Sequence, residues 1–62
     1  MSKKLNPIMT VREVAKYLRV HEMSIYRMCK KRAIPSYKVG NSWRFNREKI
    51  DEWLFSQYEN KL

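Results

Sequence analysis

Apolar residues recur near the start of the chain at the spacing of an amphipathic helix. Thr10 and Glu13 match a capping box, in which the threonine hydroxyl and the glutamate carboxylate each accept the other residue's backbone amide. The apolar positions that follow lie three and four residues apart and are Val11, Val14, Ala15 and Leu18. The pattern therefore predicts a helix that begins after Thr10 and buries one face.

A second helix is predicted to begin at His21, only two residues beyond the end of the first. Its narrow apolar stripe consists of Ile25, Met28 and Cys29. The opposite face is long, basic and aromatic, with Met23, Tyr26, Arg27 and Lys30. Because so short a connection forces a sharp turn between packed helices, the pair is expected to form a helix-turn-helix.

Residues 36–45 alternate apolar and polar side chains around Gly40 and Asn41, which predicts a β-hairpin. A two-residue turn would set Lys38 beside Trp43. A three-residue loop over 40–42 would instead form one apolar face, made of Tyr37, Val39, Trp43 and Phe45. We expect the longer loop, which places Lys38 directly opposite Arg44 on the outward face. Two facing cations repel each other, so this pair is expected to hold an anion such as a phosphate.

A third helix is predicted from Arg47 to about Tyr58, with Asn46 as its N-cap. Its apolar stripe completes the core and consists of Ile50, Trp53, Leu54 and Tyr58. The predicted fold is mainly α with a small β wing: a winged helix-turn-helix of three helices and one two-stranded antiparallel hairpin. This domain should occupy residues 8–62, after a flexible N-terminal arm over 1–7.

The composition of the chain favours a polyanionic binding partner. The chain has 62 residues, with 14 Lys and Arg against six Asp and Glu, a net charge of +8. Residues 19–49 alone hold nine basic and two acidic side chains. Catalysis is not expected, because His21 and Cys29 are separated by about 12 Å of helical rise. One cysteine and one histidine cannot form a zinc site, so neither a metal nor a cofactor is expected.

The basic face of the second helix is the expected contact with the major groove of double-stranded DNA. Arg27 should read guanine and Met23 a thymine methyl group, while Tyr26 and Lys30 should reach phosphates. The complete set expected on this helix is His21, Met23, Ser24, Tyr26, Arg27, Lys30 and Lys31. The hairpin, acting as a wing on the adjoining minor groove, should contribute Lys38, Asn41, Ser42 and Arg44.

The chain also resembles a known family. The segments that carry the resemblance are MTVREVAKYL at 9–18, VHEMSIYR at 20–27, IPSYKVG at 34–40, WRF at 43–45 and IDEWL at 50–54. They are similar to the excisionase-type DNA-binding domains of bacteria, phages and mobile elements, which share the winged helix of MerR regulators. The resemblance implies a recognition helix, a wing and cooperative assembly on repeated sites. Two positions depart from it: Arg19 replaces a common glycine, and His21 a small hydroxyl cap.

These observations predict a non-enzymatic, sequence-specific DNA-binding protein. It is expected to be either an excisionase, meaning a recombination directionality factor working with an integrase, or a small transcription regulator. A basic membrane-surface or protein-interaction module remains a more remote alternative. No run of apolar residues is long enough to span a membrane, and a cytoplasmic, nucleoid-associated protein is expected. We expect a monomer in solution that assembles head-to-tail on DNA, with Phe55 and Leu62 as contacts.

Overall fold

The computed structural model describes residues 7–60, and describes side chains as far as residue 57. Within that range, three helices and a three-stranded sheet follow one another along the chain. The elements are β1 (Ile8–Thr10), α1 (Val11–Leu18), α2 (Glu22–Lys30), β2 (Tyr37–Val39), β3 (Ser42–Asn46) and α3 (Arg47–Asn60). The predicted helices and hairpin are confirmed, and β1 is a strand that the sequence did not predict. The expected arm over 1–7 lies outside the described residues, except for Pro7.

The capping box of α1 forms as predicted. The Glu13 amide donates to the Thr10 hydroxyl at 3.1 Å, and the Thr10 amide donates to the Glu13 carboxylate at 2.9 Å. The stripe of α1 faces inward, because Val14 is fully buried and its neighbours on that face are buried or half-buried. The capping box therefore determines where α1 begins, and the spacing of its apolar residues determines which face enters the core.

Both helices of the helix-turn-helix end in the same way. After α1, Arg19 adopts a left-handed conformation with φ 60°, and the Val20 amide donates to the Ala15 carbonyl at 2.9 Å. After α2, Arg32 has φ 57°, and the Ala33 amide donates to the Met28 carbonyl at 2.8 Å. These are Schellman motifs, in which glycine is the usual left-handed residue. The two arginines therefore occupy positions that disfavour any residue with a Cβ.

The sheet has the order β1-β3-β2 and is antiparallel throughout. The predicted three-residue loop is wrong: Val39 pairs with Ser42, so the turn consists of Gly40 and Asn41 alone. Gly40 has φ 63° whereas Asn41 does not share a positive φ, the pattern of a type II′ turn with glycine first. This turn type suits the right-handed twist of two paired strands, and it determines the register.

The shorter turn reverses the side chains of β2. Directly paired residues share a face of an antiparallel sheet, so Lys38 shares the inner face with Trp43 and Phe45. Tyr37 and Val39 lie on the outer face, 50% and 61% exposed, and their predicted place in the core is wrong. The prediction assumed that paired residues match in polarity. In the structure, the Lys38 ammonium instead lies over the Trp43 ring, 4.7 Å from its centroid.

The core lies between the helices and the inner face of the sheet. Its buried residues are Met9, Val11, Val14, Ala15, Ile25, Cys29, Ile34, Phe45 and Ile50. The side chain of Asn46 accepts the Lys49 amide at 3.2 Å, as predicted for the N-cap of α3. Only part of the predicted α3 stripe is buried, since Leu54 is 44% exposed and the Tyr58 side chain lies outside the described residues.

A polar contact joins α1 to α3 at the surface. The Tyr17 hydroxyl donates to the Asp51 carboxylate, and the Arg47 guanidinium lies 4.8 Å from the centroid of the Tyr17 ring. The Arg47 amide also donates to the Pro7 carbonyl at 2.8 Å. These bonds hold the start of α3 against the rest of the domain. Among the described helices, none has the length and apolarity needed to cross a membrane.

Candidate nucleic-acid interface

The predicted recognition face of α2 is open to solvent. Met23 is 64% exposed and Tyr26 44%, and both arise from the side of the helix opposite buried Ile25. The remaining predicted residues on this helix are also exposed, apart from half-buried Ser24. His21 is the N-cap of α2, and its side chain makes no capping hydrogen bond to the described residues. Its imidazole is therefore not committed to the helix start.

The wing presents its two predicted cations on opposite faces. Arg44 pairs with Tyr37 on the outer face of the sheet, whereas Lys38 pairs with Trp43 on the inner face. The expectation that Lys38 stands opposite Arg44 and shares an anion with it is therefore wrong. Arg44 is half-buried, and its guanidinium donates to the Trp43 carbonyl at 2.9 Å. Asn41 lies in the exposed turn, and Ser42 is the exposed first residue of β3.

Three parts of the chain meet in a notch of about 210 Å³, here called the N-terminal notch. Its lining includes Arg12 from α1, Glu22 and Tyr26 from α2, and Asn41, Ser42, Trp43 and Arg44 from the wing. The helix and wing that the sequence predicts to bind DNA therefore border one continuous surface. The lining holds two arginines, Arg12 and Arg44, against one carboxylate, Glu22, so the notch is net positive and favours an anion such as a phosphate.

Arg12 was missed as a site residue by the sequence analysis. It lies in the first turn of α1, where the helix dipole disfavours a cation. An exposed cation placed against the dipole is the only feature of the sequence that distinguishes this position. What the sequence does not reveal is that the wing returns beside Arg12, because that contact depends on the register of β3 against β1.

A larger groove lies elsewhere, between α1 and the sheet. It has a volume of about 640 Å³, and its lining includes Tyr17, Arg44 and Arg47. No residue of α2 lines it among the described residues, so it does not extend the predicted recognition face.

The single cysteine has a packing role. Cys29 is 2% exposed, and burial raises the pKa of its thiol above the ordinary value of 9.0, while a hydrogen bond with Ser36 acts in the opposite direction. A thiol that stays protonated is a poor nucleophile and metal ligand. Among the side chains that the structure describes, no three potential metal ligands lie together.

Comparison with known proteins gives the family. A protein-family model described as a helix-turn-helix domain matches residues 8–58, a span that includes α1, α2 and the wing. The chain belongs to this helix-turn-helix family. The resemblance found in the sequence is thereby confirmed at the level of the helix-turn-helix domain.

Two curated relatives, from two strains of Mycobacterium tuberculosis, are named "Putative DNA-binding protein MT0521" and "Putative DNA-binding protein Rv0500A". Each is 33% identical to this helix-turn-helix chain over 51 residues, which is 82% of this chain and 65% of the relative. The chain therefore spans slightly less than two thirds of the length of the relatives it matches. No solved structure shows a significant match.

Proposed function

We propose that this helix-turn-helix protein binds double-stranded DNA sequence-specifically, with α2 in the major groove and the wing on the adjacent minor groove. The observation that carries the proposal is the N-terminal notch, where Tyr26, Arg12 and Arg44 from three different elements meet beside the exposed face of α2. A basic helix beside a basic wing can contact the two grooves that lie on either side of one DNA backbone. The names of the mycobacterial relatives support the same partner.

Within this proposal, the residues divide into two roles. Arg27 and Met23 read base edges, because they project from the most exposed side of α2. The phosphate-binding group consists of His21, Ser24, Tyr26, Lys30 and Lys31 on α2, Arg12 on α1, and Lys38, Asn41, Ser42 and Arg44 on the wing. The first group determines sequence preference and the second supplies most of the affinity.

The biological role that we propose is excision: a non-enzymatic recombination directionality factor of the cytoplasm and nucleoid that positions DNA for an integrase. The resemblance of the PxxxVGxxWRF block at 35–45 to excisionase-type domains supports this role. Regulation of transcription is the alternative within the same family. Where an integrase gene lies beside this one, recombination assays with that integrase distinguish the two roles: no effect on excision, together with altered promoter activity, would favour the regulator.

DNA binding itself is tested by gel shift on a selected duplex and on a random-sequence duplex. We expect contacts to about four to six phosphates, which give a slope of roughly −4 to −5 for log K against log salt. Arg27→Ala should cost about 1–3 kcal/mol on the selected duplex and little on the random one. Lys49→Ala, which removes an exposed cation from α3, is the matched control and should affect both duplexes equally and weakly.

A salt slope near zero would contradict DNA binding. Flotation with anionic vesicles tests the remaining alternative, in which the basic face meets a membrane. If the protein floats with the vesicles but does not shift the random-sequence duplex, its partner is a lipid surface instead of DNA.

We further propose that the protein is a monomer in solution and assembles head-to-tail on repeated sites. Phe55 supports a weak contact between neighbours, because it is 63% exposed on α3, next to exposed Leu54. Leu62, the other expected contact, lies outside the described residues. Sedimentation without DNA should give a monomer, and affinity per site should rise on duplexes with two and three sites. A stable free dimer, or equal affinity per site, would contradict this assembly.

A further inference from the structure

A second notch lies toward the carboxyl end of α2, on the side that faces the wing. It has a volume of about 390 Å³ and is lined by Cys29, Arg32, Ser36, Lys38 and Trp43, among others. Trp43 also lines the N-terminal notch, so this residue borders both cavities. The second cavity is here called the C-terminal notch. The two notches follow the seam between α2 and the wing.

The C-terminal notch is positively charged. Among the described residues that line it, Arg32 and Lys38 are cations and none carries a carboxylate. The Trp43 ring holds the Lys38 ammonium at its face by a cation–π contact, which leaves the charge without a counter-ion in its lining. The Ser36 hydroxyl already donates to the Ile34 carbonyl at 3.2 Å. The donors that remain for a ligand are therefore the guanidinium and the ammonium.

The backbone at Arg32 supports a role for its side chain. Its amide donates to the Cys29 carbonyl at 3.1 Å, a bond that any residue with an N–H can make. With φ 57°, the position favours glycine, so the Schellman motif gains nothing from the arginine side chain. Arg19 has the same conformation but lines neither notch, so what distinguishes Arg32 is its position at the edge of the C-terminal notch.

We propose that Arg32 and Lys38 bind a backbone phosphate of DNA in the C-terminal notch. One DNA strand then follows the seam between α2 and the wing, with phosphates at both notches. This proposal rests on the proposed function and adds to it Arg32, which is not among the residues predicted from the sequence and which makes a second anchoring point together with Lys38. It also gives Lys38 a partner of its own, since Arg44 belongs to the other face of the wing.

The test is a salt titration on the random-sequence duplex, where phosphate contacts alone matter. Loss of one phosphate contact should make the slope of log K against log salt shallower by about 0.9. A variant that binds as well as the unaltered protein at 1 M salt then binds about eightfold more weakly at 0.1 M salt. We expect this result for Arg32→Gly and for Lys38→Met. Arg19→Gly is the matched control, because it removes an arginine from the same backbone conformation at a site that lines neither notch. It should change affinity less than twofold.

A second measurement locates the contact. On the selected duplex, ethylation of single phosphates should interfere with binding of the unaltered protein at a defined set of positions. Arg32→Gly and Lys38→Met should lose interference at the same phosphate, while Arg19→Gly keeps the whole set. Equal losses of affinity for Arg32→Gly and Arg19→Gly, or no phosphate shared by Arg32→Gly and Lys38→Met, would contradict phosphate binding in the C-terminal notch and leave the proposed function standing. Absence of any binding by the unaltered protein would overturn the proposed function as well.

Discussion

Replacing Arg19 by glycine tests how the turn between the two helices is built. Arg19 holds φ 60° and ψ 46°, a left-handed conformation that brings its Cβ too close to its own carbonyl oxygen. The hydrogen bonds that close the turn run from the Arg19 and Val20 amides to the Lys16 and Ala15 carbonyls. They involve backbone atoms only, so they survive the substitution. Arg19→Gly therefore removes a steric conflict and no bond of the fold.

The expected gain in stability follows from two opposing effects. The left-handed conformation costs a residue with a Cβ about 1–2 kcal/mol. Glycine removes this cost but also makes the unfolded chain more flexible, which reduces the stabilisation by about 0.4–1 kcal/mol. The net stabilisation is about 0.5–1 kcal/mol. For a domain of this size, that corresponds to a rise in Tm of roughly 4–8 °C.

The assay is thermal unfolding followed by circular dichroism, with Arg19→Ala as the control. Alanine removes the same charge and side chain as glycine but keeps the Cβ, so Arg19→Ala should melt close to the unaltered protein. The comparison of glycine with alanine isolates the backbone term. If Arg19→Gly is no more stable than Arg19→Ala, the turn is not strained and the same reasoning about Arg32 fails with it.

Three further substitutions address other parts of the domain. Thr10→Ala should cost about 1 kcal/mol in urea unfolding, because it removes half of the capping box; an unchanged midpoint would show that the cap contributes nothing. Lys38→Ala should lower stability by about 0.5 kcal/mol through loss of its contact with Trp43, whereas a gain would favour repulsion between wing cations. Burial raises the pKa of the Cys29 thiol in the folded protein, so the unfolded thiol ionises first and the free energy of unfolding should fall as pH rises above about 9. Cys29→Ala should remove this part of the pH dependence, and a pH profile identical to that of the unaltered protein would contradict the prediction.

The sequence by itself determined the helical part of this protein. A capping box, an apolar stripe and the two-residue connection between helices are local features, readable within four or five positions. They predict α1, α2 and their sharp turn, and the structure places them there. The same locality explains why the exposed face of α2 could be predicted, since the face opposite buried Ile25 follows from helical periodicity alone.

The register of the wing was decided by contacts that the polarity pattern of the sequence does not show. Both loop lengths place alternate side chains on opposite faces, and local polarity favoured the wrong one, because it treated a lysine beside a tryptophan as a mismatch. The Lys38 contact with the Trp43 ring makes that pairing favourable, and the turn at Gly40 determines it. Addition of β1 to the other side of β3 likewise depends on residues far apart in the chain.

The same dependence explains what could not be predicted about the site. Arg12 and Arg32 are close to the wing only because β3 lies between β1 and β2 and carries Trp43 toward α2. A shift of one residue in strand pairing exchanges the two faces of a strand and would move Trp43 away from both notches. Helix periodicity determines which residues α2 exposes, whereas strand register determines which cations join them, and register is a property of the folded sheet.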